Sequence, residues 1–235
     1  MILIGLVVFL AAMMQGMLGF GGALIAMPLL VALVGIQTAT PVFALIGALA
    51  TLLNAIRWRE YATPRDLVQL VVPAMVGIPL GVLLLSRVDA SVVTGLLGVV
   101  LILYAAYNLL GWVLPPMKHA GWAYLAGFSS GILSGAFNTG GPPVIVFAAA
   151  QQWPADQFRG NLQTYFLVIS IFLLAAHGLS GHFTPDVWRM ALYAVPALLF
   201  GQLVGVRLCR YLDGAQFRKL VLVFLLILGV QLLVQ

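Results

Sequence analysis

The chain has 235 residues, of which 63% are hydrophobic and 7% charged, with a formal net charge of +5. A soluble domain carries about 25% charged residues, so the composition points to an integral membrane protein. The apolar runs are long and continuous, which excludes a β-barrel, whose strands alternate polar and apolar residues in roughly 10-residue segments.

The excess of positive charge does not point to nucleic acid. The basic residues are scattered through short connections, where Lys and Arg of membrane proteins set topology. Cys209 is the single cysteine, so an intrachain disulfide and a thiolate metal cluster are excluded, and the residue reads as packed. Met1 to Gln15 has no basic stretch before its apolar run, so no cleavable signal peptide is expected. No separate catalytic module is expected at either end.

Charges and turn residues divide the chain into apolar segments at 1–16, 20–35, 40–56, 66–86 and 91–113. Two prolines, Lys118 and His119 then mark a linker, and a second set follows at 121–137, 141–152, 161–178, 187–207 and 217–235. A full span needs about 20 apolar residues. The third, fourth and fifth segments of each set meet that length. The first two are shorter and join at glycine pairs, Gly21-Gly22 and Gly140-Gly141.

The two sets read as repeats. Gly16, Gly21 and Gly22 match Gly135, Gly140 and Gly141 at an offset of 119. Thr63-Pro64 matches Thr184-Pro185 at 121, and Val72-Pro73-Ala74 matches Val195-Pro196-Ala197 at 123. Gly77, Gly81, Val82 and Asp89 match Gly201, Gly205, Val206 and Asp213 at 124. The expected architecture is an all-α polytopic membrane protein. Its first repeat covers 1–114, a linker 115–120 and the second repeat 121–235. Each repeat is a broken helical hairpin followed by three transmembrane helices.

Charge orients the repeats. The 57–66 connection holds Arg57, Arg59 and Arg65, whereas its counterpart at 178–189 holds only Arg189. The 86–90 connection holds only Arg87, whereas 207–219 holds Arg207, Arg210, Arg218 and Lys219. The positive-inside rule then puts 57–66, the linker and 207–219 in the cytoplasm. The repeats are inverted, and both termini are expected on the non-cytoplasmic side.

A break in a membrane helix leaves backbone N–H and C=O groups unpaired, which is tolerated only inside protein or beside a water-filled cavity. The helices that begin after each glycine pair aim their N-termini at the break. Pro142 and Pro143 suit a first turn. Free N–H donors and the positive end of the helix dipole favour anions. Inverted-repeat transporters bind substrate at such discontinuous helices near the midplane. Gln15, Ser134, Asn138 and Thr139 are polar groups beside the breaks. Asn54, Gln163 and Thr164 are weaker candidates within apolar segments. Arg159 is read either as an anion attractor at the cytoplasmic mouth or as an interfacial arginine.

The Gly77-x-x-x-Gly81, Gly131-x-x-x-Gly135 and Gly201-x-x-x-Gly205 spacings are expected to pack helices closely. All six acidic residues lie in or beside connections, which disfavours cation transport through intramembrane carboxylates. His177 and His182 are expected near the external face and make a poor metal site. No metal and no cofactor are expected.

The motifs "GMLGFGGALIAMPLL", "SGAFNTGGPPVIVFAAA" and "RGNLQTYFL", together with the late G-x-x-x-G of each half, resemble the TauE/SafE sulfite exporters over essentially the whole chain. The resemblance implies export of sulfite, sulfoacetate-like organosulfonates or related small anions across the inner membrane. It maps the family's glycine-rich motifs onto Gly19, Phe20, Gly21 and Gly22, and onto Asn138, Thr139, Gly140, Gly141 and Pro142. Phe147 stands where the first half has Pro28, so the two half-sites are expected to differ. The competing readings are an intramembrane enzyme with Ser134 as nucleophile, a non-transporting membrane subunit, and a permease for another small organic anion. The sequence leaves a homo-oligomer open.

Overall fold

The computed structural model describes residues 1–112, 115–117, 119–208 and 214–234, without the side chains of residues 18, 64–66 and 214–220. Cys209, Arg210, Asp213 and Lys118 lie outside the described residues, as do the side chains of Arg65, Arg218 and Lys219. Ten α-helices follow in order. They are α1 (Ile2–Leu18), α2 (Gly22–Val34), α3 (Ile36–Trp58), α4 (Pro64–Arg87), α5 (Ala90–Leu109), α6 (Ala120–Phe137), α7 (Gly141–Ala150), α8 (Ala155–Leu179), α9 (Pro185–Leu208) and α10 (Gly214–Val234). A single 3-10 turn, Arg59–Tyr61, joins α3 to α4. Among the described residues there is no strand.

Among the described residues five helices, α3, α4, α5, α8 and α9, are long and apolar enough to cross a membrane. The paired helices before them are unequal. α1 has 17 residues and α2 has 13, or roughly 26 and 20 Å at 1.5 Å per residue. α6 has 18 and α7 only 10. Each pair is thus a long arm and a shorter return.

Local chemistry sets the breaks. α1 stops because Gly19 turns left-handed, with φ 83°, and its N–H closes onto the Gln15 carbonyl at 2.7 Å. Gly21 is also left-handed, with φ 88°, and starts α2. A side chain at φ > 0 is strained, so glycine is the natural residue at both positions. In the second half Asn138 takes the same cap role at φ 54°, a conformation asparagine tolerates.

The halves pack reciprocally. α1 lies against α9, while α6 lies against α4; α3 lies against α8, and α5 against α10. Glycines bring the first two pairs into backbone contact. A Cβ at Gly201 or Gly205 would run into the carbonyls of Phe9 or Met13, and one at Gly77 or Gly81 into those of Phe128 or Ile132. From the other side, a Cβ at Gly131 or Gly135 would meet the carbonyls of Ala74 or Ile78. The G-x-x-x-G stripes therefore pack helices, as their spacing leads one to expect. Where lipid tails remove the hydrophobic drive for helix association, such close van der Waals contact supplies it. The outer faces of α4, α5 and α9 carry exposed Val76, Leu103, Phe200 and Leu203. Apolar side chains of that size suit a lipid-facing surface.

Candidate anion cavity

A cavity of about 100 Å3 lies inside the bundle. On that measure a single water needs about 10–15 Å3, so the space holds several waters or one small ligand. The first break contributes Gln15, Phe20, Gly21 and Gly22, and the second contributes Ser134, Asn138, Thr139 and Gly141. The two breaks thus share one cavity although they are 119 residues apart in sequence. α3 and α8 wall the space between them, with Phe43, Gly47 and Thr51 on one side and Phe166, Ser170 and Leu173 on the other.

The breaks are offset along the bundle. The first sits beside the early turns of α8, where Phe20 packs edge-on against Phe158 with ring centroids 6.1 Å apart. The Gln163 side-chain amide also donates to the Gly19 carbonyl there. The second sits beside the early turns of α3: the Asn138 amide donates to the Thr40 carbonyl at 2.5 Å, and the Thr40 hydroxyl donates to the Ala136 carbonyl at 3.2 Å. The end of α3 meets the start of α8, since a Cβ at Gly160 would touch Tyr61, Ala62 and the Trp58 carbonyl. The cavity therefore runs between the breaks rather than having them meet tip to tip.

The two helix starts differ in the donors they offer. At α2 the N–H groups of Gly22 and Ala23 belong to a first turn and have no intrahelical acceptor. Gln15 Oε1 crowds Gly22, where an added Cβ would approach it to 2.5 Å. At α7 the first turn holds Pro142 and Pro143, which carry no N–H, so of that turn only Gly141, which lines the cavity, can offer a backbone donor there. There the polar side chains compensate. Ser134 is 5% exposed and lines the cavity, and the Thr139 hydroxyl is buried without a hydrogen-bond partner. A buried hydroxyl left unpaired costs about 1–3 kcal/mol, which a bound acceptor would offset.

A polar network fixes the second break from behind. The Ser130 hydroxyl donates to the Gly140 carbonyl at 2.6 Å, and the Tyr165 hydroxyl donates to Ser130 Oγ at 2.9 Å. All three residues are fully buried. Gly140 and Pro142 thus belong to the frame of the break and do not line the cavity.

The other candidates read from the sequence also stand outside the lining. Asn54 is buried, and its amide donates to the Ala50 carbonyl of its own helix at 3.0 Å. Gly19 and Gln163 form the brace described above, which leaves Gln163 Oε1 buried without a partner. Thr164 is half-buried on α8. Arg159 lies at the α3–α8 junction, 3.6 Å from the Asp156 carboxylate and 5.1 Å over the Trp58 ring, with Arg57 at 5.3 Å from the same ring. No charged side chain lines the cavity among the described residues.

Sequence reasoning missed the walls. Phe43, Thr51, Phe166 and Ser170 lie in mainly apolar stretches of α3 and α8, where no polar stripe marks the cavity face.

The family model for the sulfite exporter TauE/SafE matches residues 4–232, nearly the whole chain. The chain belongs to this family. No curated protein and no solved structure matches it. TauE/SafE proteins are membrane exporters, and the apolar helices here agree: the chain is a multi-pass membrane protein of a transporter family.

Proposed function

We propose that the protein is a secondary transporter that exports small oxyanions, sulfite or short organosulfonates, through the cavity between the two helix breaks. The observation that carries this reading is the convergence of both breaks on one small, mainly apolar cavity that holds the hydroxyls of Ser134 and Thr139 and the carboxamides of Gln15 and Asn138. The substrate-binding set is Gln15, Phe20, Gly21, Gly22, Ser134, Asn138, Thr139 and Gly141. Gly19, Gly140, Pro142, Gln163 and Asn54 hold the frame, and Arg159 attracts anions at the mouth.

The reading includes two inverted repeats, 1–114 and 121–235, joined by the 115–120 linker. The reciprocal pairing of α1 with α9 and of α6 with α4 supports it. It places the protein in the inner membrane with both termini outside the cytoplasm. Terminal fusions to a reporter active only in the cytoplasm should be silent; active fusions at both ends would reverse the topology.

The site is tested by protection. In a Cys209→Ser background, Ala48→Cys places a thiol in the α3 wall of the cavity. Methanesulfonate, an anion that does not react with maleimide, should slow labelling of this thiol saturably. A labelling rate indifferent to the anion would remove the cavity as the site.

A further inference from the structure

An anion cavity without a lining cation raises the question of what balances the charge. The nearest candidate lies just beyond it. Leu173 of α8 lines the cavity, and His177 follows one helical turn later on the same face. His177 is fully buried. Its Nδ1 is 2.8 Å from Nδ1 of His182, whose Nε2 is 3.1 Å from the Ser86 hydroxyl.

This chain fixes the protons. The Ser86 hydroxyl donates to the Val82 carbonyl at 2.8 Å, so its oxygen accepts from His182 Nε2–H. His182 Nδ1 is then the acceptor, and His177 Nδ1–H donates to it. That leaves His177 Nε2 as a bare lone pair, buried and without a partner. Tautomers are read from the hydrogen-bond network in this way.

We propose that His177 and His182 form a proton relay at the end of the anion cavity, and that a proton held there accompanies each transported anion. One proton added at His177 Nε2 makes an imidazolium that still donates from Nδ1 to His182. Transfer of that Nδ1 proton returns His177 to a neutral ring and leaves the charge on His182, which is partly exposed. Only N–H bonds form and break. Charging a buried imidazole is costly, and an anion one or two turns away lowers that cost. Proton and anion therefore favour each other's binding by the same factor.

The surroundings leave the pair free to play this part. The start of α3 carries no charged side chain. Arg87 and Asp89 follow Ser86, and Asp186 and Arg189 open α9. None of these forms an ion pair with either imidazole among the described residues. Phe183 packs against His177, with ring centroids 6.3 Å apart.

The proposal rests on the anion-transport reading, so its test has two arms. The first is 15N-histidine NMR of the purified full chain, assigned with His119→Gln and His182→Gln variants. Near pH 7.5, His177 should be the Nδ1–H tautomer and His182 the Nε2–H tautomer. Methanesulfonate should raise the pH at which His177 protonates. Two Nε2–H tautomers, or protonation indifferent to the anion, would overturn the relay. The second arm is methanesulfonate efflux from proteoliposomes at zero membrane potential. An outward proton gradient, with the lumen acidic, should accelerate efflux several-fold in the parent and have no effect in His177→Gln. His182→Gln serves if that variant fails to fold. Equal acceleration in parent and variant would overturn the proposal. If the parent moves no anion under any gradient, the transport reading fails, while the tautomers still decide the relay.

Discussion

The side-chain amide of Gln163 donates to the backbone carbonyl of Gly19, tying α8 of the second half to the first helix break. The opposite tie also exists: the Asn138 amide donates to the Thr40 carbonyl of α3, 2.5 Å away. Gly19 and Asn138 are the left-handed caps of α1 and α6, 119 residues apart. Each break is thus held by the third helix of the other half. Removing a hydrogen bond inside a membrane protein costs about 0.6 kcal/mol, up to about 1.7. Gln163→Leu should therefore lower thermal stability in detergent only modestly, yet loosen the first break and reduce flux several-fold. A variant with lower stability and full flux would limit the brace to a structural part.

Asn138 separates two contributions. Asn138→Gly keeps access to the left-handed cap but loses the Thr40 tie, whereas Asn138→Val loses both, because a β-branched residue resists φ > 0. The valine variant should be less stable than the glycine variant by about 1–2 kcal/mol, the cost of the left-handed conformation. Equal unfolding midpoints for the two would contradict the cap assignment.

The glycine pairs should respond unequally to small substitutions. At Gly22 an added Cβ meets Gln15 Oε1 at 2.5 Å and the Ala11 carbonyl at 3.1 Å, the latter a backbone atom that cannot swing away. At Gly141 the nearest atom is Ile145 Cδ1 at 3.2 Å, the end of a flexible chain. Gly22→Ala should cut transport far more than Gly141→Ala, while leucine at either position should abolish it. Matched flux measurements on the four variants check this order.

The helix-packing glycines should act on assembly instead. Gly205→Ala drives a methyl into the Met13 backbone, whereas a Cβ at Gly95 finds Leu233 Cδ2 at 3.9 Å. Gly205→Ala should yield little folded protein by size-exclusion chromatography in detergent. Gly95→Ala should match the parent.

Stability should depend on pH through His182, whose burial pulls it below the ordinary value of 6.5. The folded state favours the neutral ring, so the unfolded chain binds a proton first. Stability is then fully present above about pH 6.5 and falls as pH drops below it, until the folded ring also protonates. Thermal unfolding at pH 8 and pH 5.5 should show this drop in the parent and a smaller one in His182→Gln. An equal drop would assign it to other groups.

Much of this architecture was legible in the sequence because membrane helices end where charge, glycine and proline collect. The connection around Arg57 and Arg59, the pair Gly21-Gly22 and the run Asn138 to Pro143 each mark a helix end. The break residues were legible for the same reason, since loose backbone in lipid needs a purpose. The walls were not. Phe43 and Phe166 are two apolar residues among many, and only the packing of α3 on α8 selects their faces. The ties from Gln163 to Gly19 and from His182 to Ser86 join distant segments, and no local pattern encodes them. Arg159 showed its charge in the sequence but not its seat over Trp58.

The most direct measurement is uptake of labelled sulfite into liposomes containing the purified protein, with membrane potential and pH gradient set independently. Saturable uptake above protein-free liposomes, lost in Gly22→Leu and Gly141→Leu, is the expected result and places the anion path between the breaks. Uptake no greater than in protein-free liposomes, or full uptake in both variants, would contradict it.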